Sequence, residues 1–291
     1  MSGSVERVGV VGLGTMGAGI AQVCVQAGIA TVGAEVSSDL AARARDRVES
    51  YLGRGVEKGR LSRDEKDAAL ARLSTTTELE PLAECDLVIE AIVEELDAKR
   101  ELFRRLDAIV GPDAILATNT SALPVTEIAA ATSRPDRIVG LHFFNPAPVL
   151  ALVEVVRTEL TSEEAFERAF AFAEQIGKEP IRCNDTPGFV VNRILIPLLN
   201  DCVRLIDEAR VTPEEVDAAM TRGVNWPIGP CALIDLIGVD VHVHASEALW
   251  EALREPRIAP PPRLVRMAQA GLLGRKAGRG FFAYDSPRRT G

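Results

Sequence analysis

Histidine is scarce in this chain of 291 residues, which has only His142, His242 and His244. With so few imidazoles and no C-x-x-C pair, no metal site is expected. The five cysteines (Cys24, Cys85, Cys183, Cys202 and Cys231) are scattered and odd in number. They suit reduced structural thiols of a cytoplasmic protein better than a disulfide framework. Positive charge is also in deficit, with 33 Lys+Arg against 42 Asp+Glu for a formal charge of −9. That balance argues against a nucleic-acid partner, whose phosphates must be neutralised. The deficit is uneven: residues 1–186 carry 20 basic against 30 acidic side chains, and residues 187–291 carry 13 against 12. An anionic ligand therefore needs local positive sites. No internal repeat is present, and the start Met-Ser-Gly-Ser-Val-Glu-Arg does not look like a secretory leader. Val8 to Ala34 is free of charge and long enough to cross a bilayer, yet it holds seven glycines in a turn-forming pattern. No membrane partner is expected.

What is present is a composition of 47% hydrophobic and 26% charged residues, ordinary for a globular protein of two domains. The first part alternates strand-like and helix-like segments, the pattern of a parallel sheet covered on both faces. Strands are expected at Arg7–Val11, Ala30–Glu35, Leu87–Ala91, Ala114–Thr118, Arg137–Leu141 and Leu152–Val156. A helical insertion follows the second strand, with Leu40–Lys58 and a further helix behind the capping box Ser62-Arg-Asp-Glu65. After Asp185-Thr-Pro-Gly188 only helical segments are expected: Gly188–Arg210, Pro213–Thr221, Pro230–Ile237, Val239–Arg254 and Arg263–Ala270. The fold class is thus α/β, a Rossmann-type, doubly wound, mostly parallel sheet with a helical insertion, followed by a smaller all-α domain. The boundary is expected at 186/187.

Gly12, Gly14 and Gly17 form G-x-G-x-x-G between the first strand and an apolar helix, Met16–Ala27. Gly12 permits the tight turn, Gly14 the approach of a pyrophosphate, and Gly17 close helix–strand packing. The helix N-terminus then offers N–H groups to the anion. Glu35 ends the second strand 23 residues past Gly12, close to the offset of a ribose-binding carboxylate. A carboxylate there accepts from a 2′-hydroxyl and repels a 2′-phosphate, so NAD is expected over NADP. Thr15 and Met16 complete the loop that lines the cofactor.

His142 follows an apolar strand and opens His142-Phe-Phe-Asn145-Pro146, at the strand end where open α/β sheets bind ligands. A dehydrogenase without a metal needs a base that titrates near neutrality, which favours histidine. Glu154 interrupts the apolar run Leu150–Val156. It either faces solvent or is buried with a partner, because an unpaired buried charge is costly. Asn119-Thr-Ser121 and Asn192 place further polar groups at the ends of apolar elements. His242 and His244 lack other ligands nearby and are expected to be solvated or packed.

Taken in order, Gly12-Leu-Gly-Thr-Met-Gly17, Asp86-Leu-Val-Ile-Glu-Ala91, Asn119-Thr-Ser121, His142-Phe-Phe-Asn-Pro146 with Glu154, Gly188-Phe-Val-Val-Asn-Arg193 and Leu273-Gly-Arg-Lys-Ala-Gly-Arg-Gly280 are familiar. The chain resembles the L-3-hydroxyacyl-CoA dehydrogenases, especially the single-function bacterial 3-hydroxybutyryl-CoA dehydrogenases, from about residue 5 to 285. That resemblance implies NAD as cofactor, an acyl-CoA substrate, a homodimer, His142 as general base and Glu154 as its orienting partner. It further implies that Ser121 and Asn192 hold the substrate's oxygens, and that Glu94, Lys99, Asn119 and Asn145 line the cofactor and active site. Arg54 and Lys58 in the helical insertion match positions facing the CoA nucleotide. A gulonate-type sugar-acid 3-dehydrogenase shares most of these motifs and is the alternative, against which Arg54 and Lys58 argue. The 3-hydroxyisobutyrate dehydrogenases resemble the glycine turn but rely on a lysine in the long helix after it, and Gly188–Asp207 contains no lysine.

Overall fold

The computed structural model describes residues 4–284. The chain divides into two compact units, residues 1–189 and 190–291. The first unit runs β1 (Arg7–Val11), α1 (Thr15–Gln26), β2 (Ala30–Ala34), α2 (Ser38–Glu57), α3 (Arg63–Ala71), β3 (Leu73–Thr76), β4 (Leu87–Glu90), α4 (Leu96–Ile109), β5 (Ile115–Thr118), α5 (Val125–Ala129), β6 (Ile138–Phe143), β7 (Leu152–Arg157), α6 (Glu163–Gln175) and β8 (Glu179–Asn184). These strands form one sheet in the order β3-β2-β1-β4-β5-β6-β7-β8. The first six are parallel; β7 pairs antiparallel to β6, and β8 pairs parallel to β7.

Both faces of the sheet are covered, as the uniformly apolar strands require. Val8, Val10, Leu87, Ile89, Ile115 and Ala117 pack with α1, α2 and α6 in one core. The alternate residues Val11, Val88 and Leu116 pack with α4 and α5 in the other. The capping box that starts α3 is formed, with Ser62 and Glu65 bonding each other's backbone N–H.

Two strands escaped the sequence reading. Leu73–Thr76 has one buried residue in four, and Glu179–Asn184 one in six. Both are edge strands, so neither shows the apolar run that marks a central strand.

The second unit comprises α7 (Val191–Glu208), α8 (Pro213–Ala218), α9 (Pro230–Ile237), α10 (Val239–Leu253) and α11 (Pro262–Gln269). Its core joins Leu199, Val203, Ile234, Val239, Val243, Leu264 and Met267. The helix expected from Gly188 begins only at Val191, because Gly188 and Phe189 both have left-handed backbones (φ 78° and 48°). Asp235 is buried and accepts the Phe281 and Phe282 N–H groups and the Tyr284 hydroxyl, fixing the end of the described chain. His242 is buried with Nε2 on Asn200 Oδ1 at 2.9 Å, and burial pushes its pKa down to about 4. His244 is exposed, and the described residues contain no group of His, Cys, Asp and Glu able to hold a metal. No helix among the described residues is long and apolar enough to cross a membrane.

Candidate active site

Parallel strands end on one edge of a sheet, so β1, β2, β4, β5 and β6 bring their carboxyl ends, and the turns after them, to a common rim. The glycine turn follows β1. Gly12 has φ 84°, and a Cβ there would lie 2.8 Å from Ala91 O. A Cβ on Gly17 would lie 1.8 Å from Gly12 O, so the start of α1 can press on the turn only at glycine. Gly14 differs: a Cβ on it would meet nothing within 4 Å, and so would fill open space above the helix N-terminus. Gly14 is the N-cap of α1, no side chain caps that terminus, and its first turn holds no acidic residue. These are the properties of an anion cradle. Glu35 stands just past β2 with both carboxylate oxygens held, Oε1 by Leu13 N–H at 2.6 Å and Oε2 by Val36 N–H at 3.1 Å. Next to it lies a cavity of about 290 Å³ lined by Val11, Gly12, Glu35, Val36, Leu79 and Arg105, among others. An anion cradle, a fixed carboxylate and an adjoining apolar cavity fit a dinucleotide.

The antiparallel register of β6 and β7 sets His142 opposite Glu154. Glu154 is fully buried, and its Oε2 lies 2.6 Å from His142 Nδ1. A carboxylate only accepts, so Nδ1–H donates and Nε2 is the acceptor of the neutral ring. The imidazole has two tilted aromatic rings beside it, Phe144 at 4.4 Å and Phe189 at 5.7 Å between centroids, and is itself buried.

After β5, Asn119 Oδ1 accepts the Phe143 N–H at 2.9 Å, tying this turn to the residue after His142. Ser121 donates its N–H to Glu94 Oε1 at 2.8 Å and its hydroxyl to the same oxygen at 3.3 Å. Glu94 also pairs with Lys99 at 3.1 Å. Burial acts to raise the Glu94 pKa, but Lys99 and the bonds from Thr120 and Ser121 outweigh it and hold the carboxyl below the usual range. Lys99 is buried and donates to Glu90 at 2.5 Å as well. Asn145 is exposed and begins the turn after β6, whose Ala147 and Leu150 carbonyls are held by the Lys178 ammonium.

Arg54 and Lys58 lie exposed at the end of α2, with the Arg54 guanidinium 4.6 Å from the Tyr51 ring centroid. Asn192 belongs to the first turn of α7, half-buried, in the second unit. Sequence reasoning did not single out Glu90, Phe144, Lys178 or Phe189. Glu90 carried a usable signal: it is a carboxylate closing the apolar strand Leu87–Glu90, as Glu154 interrupts another.

Residues 7–186 match the profile of the 3-hydroxyacyl-CoA dehydrogenase NAD binding domain, and residues 188–284 that family's C-terminal domain. A 3-hydroxybutyryl-CoA dehydrogenase of Mycobacterium tuberculosis is 46% identical over 286 residues, 98% of this chain and all of that protein. The crystal structure of an (S)-3-hydroxybutyryl-CoA dehydrogenase from Ralstonia eutropha superposes with a TM-score of 0.94 at 42% identity, covering 97% of this chain and all of that one.

Proposed function

The chain belongs to the 3-hydroxyacyl-CoA dehydrogenase family, NAD-dependent oxidoreductases, and from that premise we propose that it interconverts a short-chain L-3-hydroxyacyl-CoA, 3-hydroxybutyryl-CoA first, and its 3-keto thioester. NAD, when bound, supplies the two-electron acceptor for the hydrogen on C3. Gly12, Gly14, Thr15, Met16 and Gly17 hold its pyrophosphate at the α1 terminus, and Glu35 holds the adenosine ribose. Glu94, Lys99, Asn119 and Asn145 line the remainder.

His142 Nε2 takes the proton from the C3 hydroxyl and returns it in the reverse direction. Glu154 stabilises the resulting imidazolium through a charge-assisted hydrogen bond. The observation that carries this reading is the buried 2.6 Å contact between His142 and Glu154 on the strand next to the β5 turn. Ser121 and Asn192 hold the substrate's oxygens. Arg54 and Lys58 meet the phosphates of CoA, supplying locally the positive charge that the first unit lacks overall.

Residues 187–291 act in substrate binding and in a homodimer, which would cover the exposed Ile194, Leu236 and Val241 of α7, α9 and α10. The free cysteines support a cytoplasmic setting. Purified protein should oxidise NADH on addition of acetoacetyl-CoA, with a preference for short chains across a C4 to C12 series. A flat response across that series would reject the short-chain assignment, and no turnover with any member would reject the function. Sedimentation at equilibrium tests the dimer.

A further inference from the structure

The turns after β4 and β5 are joined by three charges that form one network. Glu90 Oε1 accepts from Ile92 N–H at 2.7 Å and Lys99 Nζ at 2.5 Å. Glu90 Oε2 accepts the Thr118 hydroxyl at 2.7 Å. Thr118 Oγ1 already accepts the Thr120 N–H, so its single proton goes to Glu90. Lys99 reaches across to Glu94 Oε2, while Glu94 Oε1 accepts from the Thr120 hydroxyl at 2.6 Å and from Ser121. The Lys99 ammonium, the Thr118, Thr120 and Ser121 hydroxyls and the Ile92 and Ser121 N–H groups all point at a carboxylate oxygen, so both acids serve as acceptors. Two carboxylates share one ammonium, and the network carries one net negative charge. Glu90 and Lys99 are sealed from water; the Glu94 side chain is 40% exposed and is where that charge emerges.

A dinucleotide crossing the rim at the glycine turn puts one nucleoside on the β2 side, where Glu35 stands, and the other over β4 and β5. Glu94 lies after β4 and Ser121 after β5. The oxidised nicotinamide ring is a cation and the reduced ring is neutral, whereas adenosine and pyrophosphate are common to both forms. A change in the ratio of the two affinities when one charge is removed therefore reports the field at the ring.

We propose that the Glu90–Lys99–Glu94 network is a fixed negative field that favours the oxidised over the reduced cofactor and so sets the redox balance of the bound couple. Burying such a network costs desolvation, and an apolar contact would tether two turns at less cost. A charge held beside a ring whose own charge changes during turnover gives the network a use that packing alone does not. The inference rests on the NAD reading of the site and is independent of which acyl thioester is oxidised.

The test is equilibrium binding of NAD⁺ by calorimetry and of NADH by fluorescence, with no acyl-CoA present. Glu94→Gln removes the emergent charge and should raise the ratio Kd(NAD⁺)/Kd(NADH) by ~3–10-fold, the range for one charge in a partly solvated site. Glu90→Gln should move the ratio the same way, and Lys99→Met, which removes the compensating cation, the opposite way. Glu94→Gln weakening both forms equally, or leaving the ratio unchanged, overturns the proposal. If the two buried variants do not fold, the half-exposed Glu94→Gln decides alone. A shifted ratio in a protein inert towards acetoacetyl-CoA would sink the substrate assignment and leave this inference standing; an unshifted ratio in an active enzyme would do the reverse.

Discussion

Replacing Glu154 by glutamine keeps the shape of the side chain and removes its charge. In the resting protein the His142 Nδ1–H donates to Glu154 Oε2 at 2.6 Å, inside a pocket where both side chains are buried. When His142 takes a proton, that bond becomes one between two ions. Glutamine still accepts the Nδ1–H but offers the imidazolium no opposite charge, and the attraction between two unit charges ~4 Å apart is about 1–4 kcal/mol for effective dielectrics between those of water and of a protein site. That loss falls on the step in which the imidazolium forms and corresponds to ~5–10³-fold in kcat. Glu154→Ala should cost more, because it also leaves Nδ1–H without a partner and frees the tautomer. The ceiling is the loss from His142→Ala, for which general acid–base catalysis allows ~10²–10⁴-fold. The assay is the initial rate of NADH oxidation with acetoacetyl-CoA, alongside NADH binding by fluorescence. The predicted order of kcat is wild type, then Glu154→Gln, then Glu154→Ala, then His142→Ala, at unchanged NADH affinity. Wild-type turnover in Glu154→Gln, or a defect confined to NADH affinity, would refute the reasoning.

Other perturbations separate fold from function. Gly14→Ala should leave the melting temperature unchanged, since its Cβ meets no protein atom within 4 Å, yet weaken NADH binding. Gly17→Ala should fail in both respects, because its Cβ would lie 1.8 Å from Gly12 O. His242 has its pKa pushed from 6.5 to about 4, so the unfolded chain binds the proton first as the pH falls. Stability is then full above pH 6.5 and declines towards pH 4 by about 3 kcal/mol, a slope that His242→Gln should flatten in denaturant titrations. Asp235→Asn replaces one acceptor oxygen with a donor among the Phe281, Phe282 and Tyr284 donors, and should destabilise the second unit by about 2–4 kcal/mol in the same titration.

The central strands were legible because apolar runs between turn residues have few other uses, and the Gly12–Gly17 turn because its spacing follows from the shape of a pyrophosphate. The second unit's helices were also legible, Pro230–Ile237 to the residue, since proline and glycine mark its ends. The edge strands were not, because a strand with water on one side and few buried residues looks like a loop. In the site, His142 stood out by rarity, and Glu154 by the cost of burying a charge. That same cost should have marked Glu90. Phe189 could not be found this way: its left-handed backbone and its contact with His142 depend on tertiary structure. The tie from Ser121 to Glu94 spans 27 residues, and only the adjacency of β4 and β5 brings those two turns together.

One consequence belongs to the reversal of β7. In an antiparallel ladder the numbers of facing residues have a constant sum, so His142 meets Glu154 for the same reason that Leu141 meets Val155. A slip of one residue would carry the acid to the far side of the sheet and bring valine in its place. The proposed proton-handling couple is thus stored in main-chain pairing and not in the turn between the strands. The turn between the strands can therefore vary while the pair stays in register, provided Phe144 keeps its place beside the imidazole.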